Sequence, residues 1–177
     1  TYTINDDDAQ PSIAFTSGNF AASEATTNGQ FSLALSGASG KEITYGYTIN
    51  AVTTTASDDG VDYTLTAGTN TISAGAAVST IDFTVNDDAL DEIDEVLVVT
   101  LNTDAFVNVA TTGSPLEATY TIQDDDNPPN IQFTNATGTM AEVDGTANVE
   151  VSIASVSGKD VSVTVSDNLT GSATADS

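Results

Sequence analysis

The chain has 177 residues, with 26 acids against two lysines, a net charge of −24, and neither cysteine nor histidine. Disulfides, thiolate metal sites, cysteine nucleophiles and imidazole acid–base chemistry are therefore excluded. Charge of this sign repels nucleic-acid phosphates and anionic lipid heads and leaves cations as the natural partners. No apolar run is long enough to insert in a bilayer.

An acidic chain can be a disordered one, but here Thr, Val, Ile, Phe and Tyr fall in short alternating runs, the period of half-buried strands. Seven strands are predicted in chain order. The first is 12–15, with a continuation near Phe20. The second, 30–35, points Phe31, Leu33 and Leu35 one way. The third, 43–50, aligns Ile43, Tyr45, Tyr47 and Ile49. The fourth is 63–66, resumed at 69–73. The fifth, 80–85, buries Ile81, Phe83 and Val85. The sixth, 96–101, is apolar on both faces and reads as central. The seventh, 118–123, turns Tyr120 and Ile122 inward. No segment carries a capped helical period. This is an all-β pattern, a seven-stranded antiparallel β-sandwich.

The strands recur. "TYTINDDDAQPSIAF" begins at Thr1 and "TYTIQDDDNPPNIQF" at Thr119, an offset of 118 residues that carries Glu24 onto Glu142 and "SGKE" at Ser39 onto "SGKD" at Ser157. That period is too long for a solenoid and suits one sandwich domain. Residues 1–8 read as the last strand of a preceding repeat, 9–126 as a complete domain, and 127–177 as the first part of the next, so the sandwiches stand in tandem.

Alternating strand directions gather the loop after the first strand, the loops after the third and fifth, and the tail of the seventh at one pole. Thirteen of the seventeen carboxylates of residues 9–126 lie in those segments, including six in "VNDDALDEIDE". A lone acidic pair reads as a solvated loop. A dozen acids at one pole repel, by about 4 kcal/mol for a pair 4 Å apart at an effective dielectric of 20, and a hard dication relieves that. Calcium takes six to eight oxygens in irregular geometry, magnesium prefers its waters and an octahedron, and zinc and copper favour nitrogen or sulfur donors. The spacing is not that of an EF-hand.

The ordered set "DGVDY", "VNDDALDEIDEVLVVTL" and "TYTIQDDD" resembles the Calx-beta domain family, met in sodium–calcium exchangers and in large bacterial surface proteins. The resemblance implies an immunoglobulin-like sandwich that binds calcium at one pole. Matched position by position, it implies the metal ligands Glu24, Asp62, Asp87, Asp88, Glu92, Glu95, Asp124, Asp125 and Asp126. The family often has a further acid where Ala89 stands. Asp58, Asp59, Asp91 and Asp94 are either outer-shell groups or solvated. Residues 6–8 and Glu142 belong to sites whose other halves lie outside this sequence.

Both lysines fall in the loop after the second strand of their repeat. Lys41 is expected near Asp6–Asp8 and Lys159 near Asp124–Asp126, or both are solubility lysines. The leading expectation is a calcium-stiffened repeat of a long extracellular or cell-surface protein, adhesin or fibre, partnered by calcium and by neighbouring repeats. The alternatives are a calcium-sensing regulatory domain, and a filament subunit in which strand 2–4 completes the open half-domain of a neighbour. Catalysis is not expected, because the carboxylates lack the aromatic platform of a glycosidase and the chain has no tryptophan. Two N-glycosylation sequons, at Asn135 and Asn168, match by pattern alone.

Overall fold

The structure, a computed structural model, describes residues 1–58, 60–168 and 170, with Glu142 through its backbone alone. Asp59 and Leu169 of the second sequon lie outside the described residues. Packing divides the chain into two compact units, residues 1–89 with 93–125, and residues 90–92 with 126–177.

The first unit is a two-sheet sandwich. One sheet runs β1 (Ile13–Phe15), β3 (Asn28–Leu35), β7 (Val78–Val85), β5 (Tyr63–Thr64). The other runs β2 (Asn19–Ser23), β9 (Glu117–Gln123), β8 (Glu95–Val107), β4 (Ile43–Ile49), β6 (Gly68–Ile72). The seven expected strands are present. The first and fourth are each broken and divided between the sheets, as β1/β2 and β5/β6. Residues 16–18 and 65–67 are the crossings.

Alternation sends every second side chain of β3, β7 and β9 into the core. Phe31, Leu33 and Leu35 of β3, Ile81, Phe83 and Val85 of β7, and Ala118, Tyr120 and Ile122 of β9 are all buried. Leu97, Val98 and Val99 of β8, the central strand of its sheet, are buried in succession, so side chains on both of its faces are covered. The two sheets are joined by aromatic contacts. Tyr120 meets Phe83 at 4.9 Å and Phe31 at 5.8 Å between ring centroids, both edge-on, and Phe20 meets Phe31 at 5.4 Å.

β8 extends beyond the expected end at Leu101 to Val107, and its pairing with β4 shifts register between Thr44 and Gly46. The extension "NTDAFV" is polar and mixed, so its strand character comes from pairing rather than local pattern.

β2 pairs with β9 in parallel, with Ser23 opposite Gln123, while the remaining ladders are antiparallel. Parallel pairing places the end of β2 and the end of β9 side by side.

In the second unit, β10 (Ile131–Phe133) pairs antiparallel with β11 (Val151–Ile153). Its register, Ile131 opposite Ile153, reproduces that of Ile13 opposite Leu35 after 118 residues. A short 3-10 turn spans Glu142–Asp144. Among the described residues no helix is long and apolar enough to cross a membrane.

Candidate metal centre

The site begins with the β2–β9 ladder. One residue beyond it, the Glu24 N–H donates to the Gln123 carbonyl at 3.0 Å, which sets Glu24 beside Asp124. The Ser23 hydroxyl donates to Asp125 at 2.8 Å, and the Asp124 N–H donates to Asp94 Oδ1 at 3.3 Å. Glu24, Asp124 and Asp126 each bring one carboxylate oxygen to within 4.8 Å of the others. Glu24 is 8% exposed, an unusual position for a carboxylate. Glu24 Oε1 and Asp126 Oδ2 are sealed from water.

Other loops close around this end of the first unit. The Val85 N–H donates to the Thr27 carbonyl at 3.0 Å, and the Asn86 N–H to the Asp62 carbonyl at 2.9 Å. The N–H groups of Thr55 and Ala56 share the Val96 carbonyl at 2.9 and 3.1 Å. With the Glu24–Gln123 and Asp124–Asp94 bonds, they tie together the segments after β2, β4, β7 and β9, the same four that carry the acids.

Not every implied ligand joins the group of three. The Asp62 carboxylate accepts the N–H of Ser57 in its own turn. It also faces buried Tyr63, whose phenol is held above its ordinary range first by burial and then by the charges of Asp58 and Asp62. Asp87 and Asp88 are exposed just past β7. Asp125 is exposed and holds Ser23. Glu95, half-buried, opens β8 opposite Ile122. Glu92, half-buried, sits in the second unit against Gly158. Asp94 orients Asp124 through its backbone, a role that spacing alone could not single out.

Asp91 is neither solvated nor turned to the acidic group. It is 5% exposed, and its carboxylate takes the Lys159 ammonium at 2.6 Å and the Ser157 hydroxyl at 3.0 Å, while the Gly158 N–H donates to its carbonyl at 2.9 Å. Lys159 thus pairs with Asp91 in a hollow of the second unit that Asp126 also lines, so it stands near Asp126 of the closing triplet, as expected, with Asp91 as its ion-pair partner. The Ser157 hydroxyl and the Gly158 N–H, both bonded to Asp91, seat that residue beside the ammonium. Lys41 does meet its expected partner, Asp6, at 2.7 Å. That contact holds the Asp6 carboxyl below and the Lys41 ammonium above their ordinary ranges.

The donors fit a hard dication. A calcium–oxygen distance of about 2.3–2.6 Å puts two ligands on opposite sides of the ion at most roughly 5 Å apart, and the group of three falls within that span. The donor set is all oxygen, and three carboxylates carry enough oxygens for the lower end of calcium's coordination number.

No curated protein matches the chain. Among solved structures, the calcium binding domain CBD12 of CALX1.1 is similar at 23% identity and TM-score 0.58, over 70% of this chain and 48% of that one. The Apo-form Calx CBD1 domain is similar at 21% identity and TM-score 0.57, over 67% of this chain and 100% of that one. The Calx CBD2 domain follows at 15% identity and TM-score 0.53, over 67% and 91%. The chain thus matches about half the length of the CBD12 structures. The profile of the Calx-beta domain matches residues 6–126 and again 124–177. On a sequence match that spans nearly the whole chain and a fold shared with solved Calx domains, this protein belongs to the Calx-beta domain family.

Proposed function

We propose that the chain is a calcium-binding structural repeat of a long extracellular or cell-surface protein. The observation that carries this reading is the meeting of Glu24, Asp124 and Asp126 at the end of the parallel β2–β9 ladder. Glu24, Asp124 and Asp126 would hold the ion, with Asp62, Asp87, Asp88, Glu92, Glu95 and Asp125 as further candidates. When bound, calcium supplies the positive charge that offsets their mutual repulsion. Ser23 and Asp94 position the closing triplet through their hydrogen bonds. A cation that binds this ordered arrangement better than the unfolded chain stabilises the fold by linkage. Modest affinity suits the millimolar calcium found outside cells. The 118-residue period and Pro128–Pro129, just past the end of the first family match, support a stiffened tandem array. The role is structural rather than catalytic.

Thermal unfolding of the whole chain with calcium, with magnesium and with chelator tests this. Calcium is expected to raise the midpoint and magnesium to raise it much less. Indifference to calcium overturns the reading.

The likeness to structures described as calcium binding domains favours a second reading, a calcium-sensing regulatory domain. Submicromolar affinity accompanied by a large conformational change selects it over the spacer. A third, assembly by strand exchange, draws on Tyr2 and Ile4, which are fully exposed. Light scattering that shows only monomer at all concentrations excludes it.

A further inference from the structure

The two "SGK" loops of the chain stand in the same place of their repeats, 118 residues apart, and share one local conformation. The Lys159 N–H donates to Ser157 Oγ at 3.1 Å, and the Lys41 N–H donates to Ser39 Oγ at 3.0 Å. The second loop is filled. Its serine hydroxyl, glycine N–H and lysine ammonium all converge on Asp91, through the carboxylate at 3.0 and 2.6 Å and through the backbone carbonyl at 2.9 Å. The aspartate side chain is left 7% exposed.

The first loop presents the same three donors, and two of them are uncommitted. Among the described residues, the Gly40 N–H has no acceptor and the Ser39 hydroxyl donates to none. Lys41 spends its charge on Asp6 in a pair that is open to water on both sides, with 59% and 54% of the two side chains exposed. Such a pair is screened and weakly held. Beside the loop lies a hollow of about 480 Å³ lined by Asp6, Pro11, Ser39, Gly40, Lys41 and Asn108. That volume admits a side chain with its flanking peptide.

We propose that residues 39–41 form a receiving site for an acidic backbone segment, and that its occupant is the counterpart of Leu90–Glu92 in a preceding repeat of the same kind. An aspartate carboxylate takes Lys41 and Ser39, and the carbonyl of the same residue takes Gly40. One residue thus satisfies a cation, a hydroxyl and an amide at once. Neither a small anion nor a side chain alone supplies that combination. The specificity lies in the pairing of carboxylate and carbonyl on one residue. The inference rests on the tandem-array reading but not on calcium, because no carboxylate of the group of three takes part.

The experiment compares the 177-residue chain with the same chain preceded by a copy of its residues 1–118, so that the added copy places its own Asp91 where the period requires. Amide hydrogen exchange is followed at Gly40 of the original portion, without calcium. Gly158, whose N–H is already bonded to Asp91, is the internal reference. Gly158 is expected to be protected in both chains. Gly40 is expected to exchange freely in the shorter chain and about fivefold or more slowly in the longer one, the effect of one net hydrogen bond. The gain is expected to vanish with Asp91→Ala in the added copy and with Ser39→Ala in the receiving one, two changes that alter opposite sides of the contact. Gly40 exchange that is unchanged by the added repeat overturns the proposal, as does slowing that survives both substitutions. A calcium-indifferent melting point of the 177-residue chain removes the metal reading and leaves this result standing.

Discussion

The N–H of Glu24 donates to the carbonyl of Gln123 at 3.0 Å, one step past the parallel ladder that sets Ser23 opposite Gln123. That bond brings a glutamate from the start of the domain to the aspartates at its end, across almost one hundred residues of chain. It is the link from sheet topology to the acidic group.

Glu24→Gln is expected to remove most of the calcium response while leaving the calcium-free chain as stable or slightly more so, because a repelling charge is lost. At free calcium one hundred times the dissociation constant, linkage contributes about 2.7 kcal/mol. For a chain of this size that is a rise of about 5–10 °C in the melting midpoint. Differential scanning calorimetry with and without calcium measures it. An undiminished shift in the variant would take Glu24 out of the site.

Asp91→Ala is expected to loosen the second unit. The loss of its carboxylate removes hydrogen bonds from a charged acceptor, worth about 1.5–3 kcal/mol, and exposes residues 157–159. Limited proteolysis and amide exchange at Gly158 are the readouts. Lys41→Ala, which breaks a pair exposed to water, is expected to leave the melting midpoint where it is. Equal effects of the two substitutions would contradict the difference in burial.

Gly29 faces Phe83 across the β3–β7 ladder, and a β-carbon at Gly29 would fall on the Phe83 ring. Gly29→Ala therefore forces an aromatic side chain out of the intersheet core, at a cost of about 1–3 kcal/mol. Gly37, with open space around it, supplies the control. Urea unfolding compares them, and similar midpoints for the two alanine variants would show that Phe83 yields without loss.

Stability is expected to fall on the alkaline side as well. The Tyr63 phenol is held neutral in the folded state by burial, with help from Asp58 and Asp62, and burial raises Tyr47 and Tyr120 likewise. A folded-state value above the unfolded one means that the unfolded chain loses its phenolic protons first. The contribution is complete below about pH 10, the ordinary tyrosine value, and is lost as pH rises through the folded-state value. Tyrosinate absorbance recorded alongside circular dichroism should show ionisation coinciding with unfolding. Tyr63→Phe should move that transition to higher pH. Ionisation at an ordinary pH without unfolding would refute it.

Most of the fold was legible because sandwich strands declare themselves locally. Phe31, Leu33 and Leu35 alternate with polar residues, and that pattern alone predicts which side of β3 is buried. The breaks in the first and fourth strands were only half visible, as a second run after each. No local pattern says to which sheet the second run belongs. The site was legible as a pole and not as a set of contacts. Asp62 matches the family's acidic position, yet its carboxylate accepts the Ser57 N–H of its own turn. Asp91 sits among five other acids and differs from them only in what folds over it.

Composition, alternation and the 118-residue offset by themselves determined an all-strand fold, its repetition, and the concentration of negative charge in four segments. They did so because side-chain period and charge are properties of neighbouring residues. Only the tertiary structure decided that Glu24 meets Asp124 and Asp126, and that Asp91 goes instead to Lys159. Those choices follow from the parallel register of β2 with β9 and from donors in a loop far along the chain, and pairing between distant residues is not written in any local stretch.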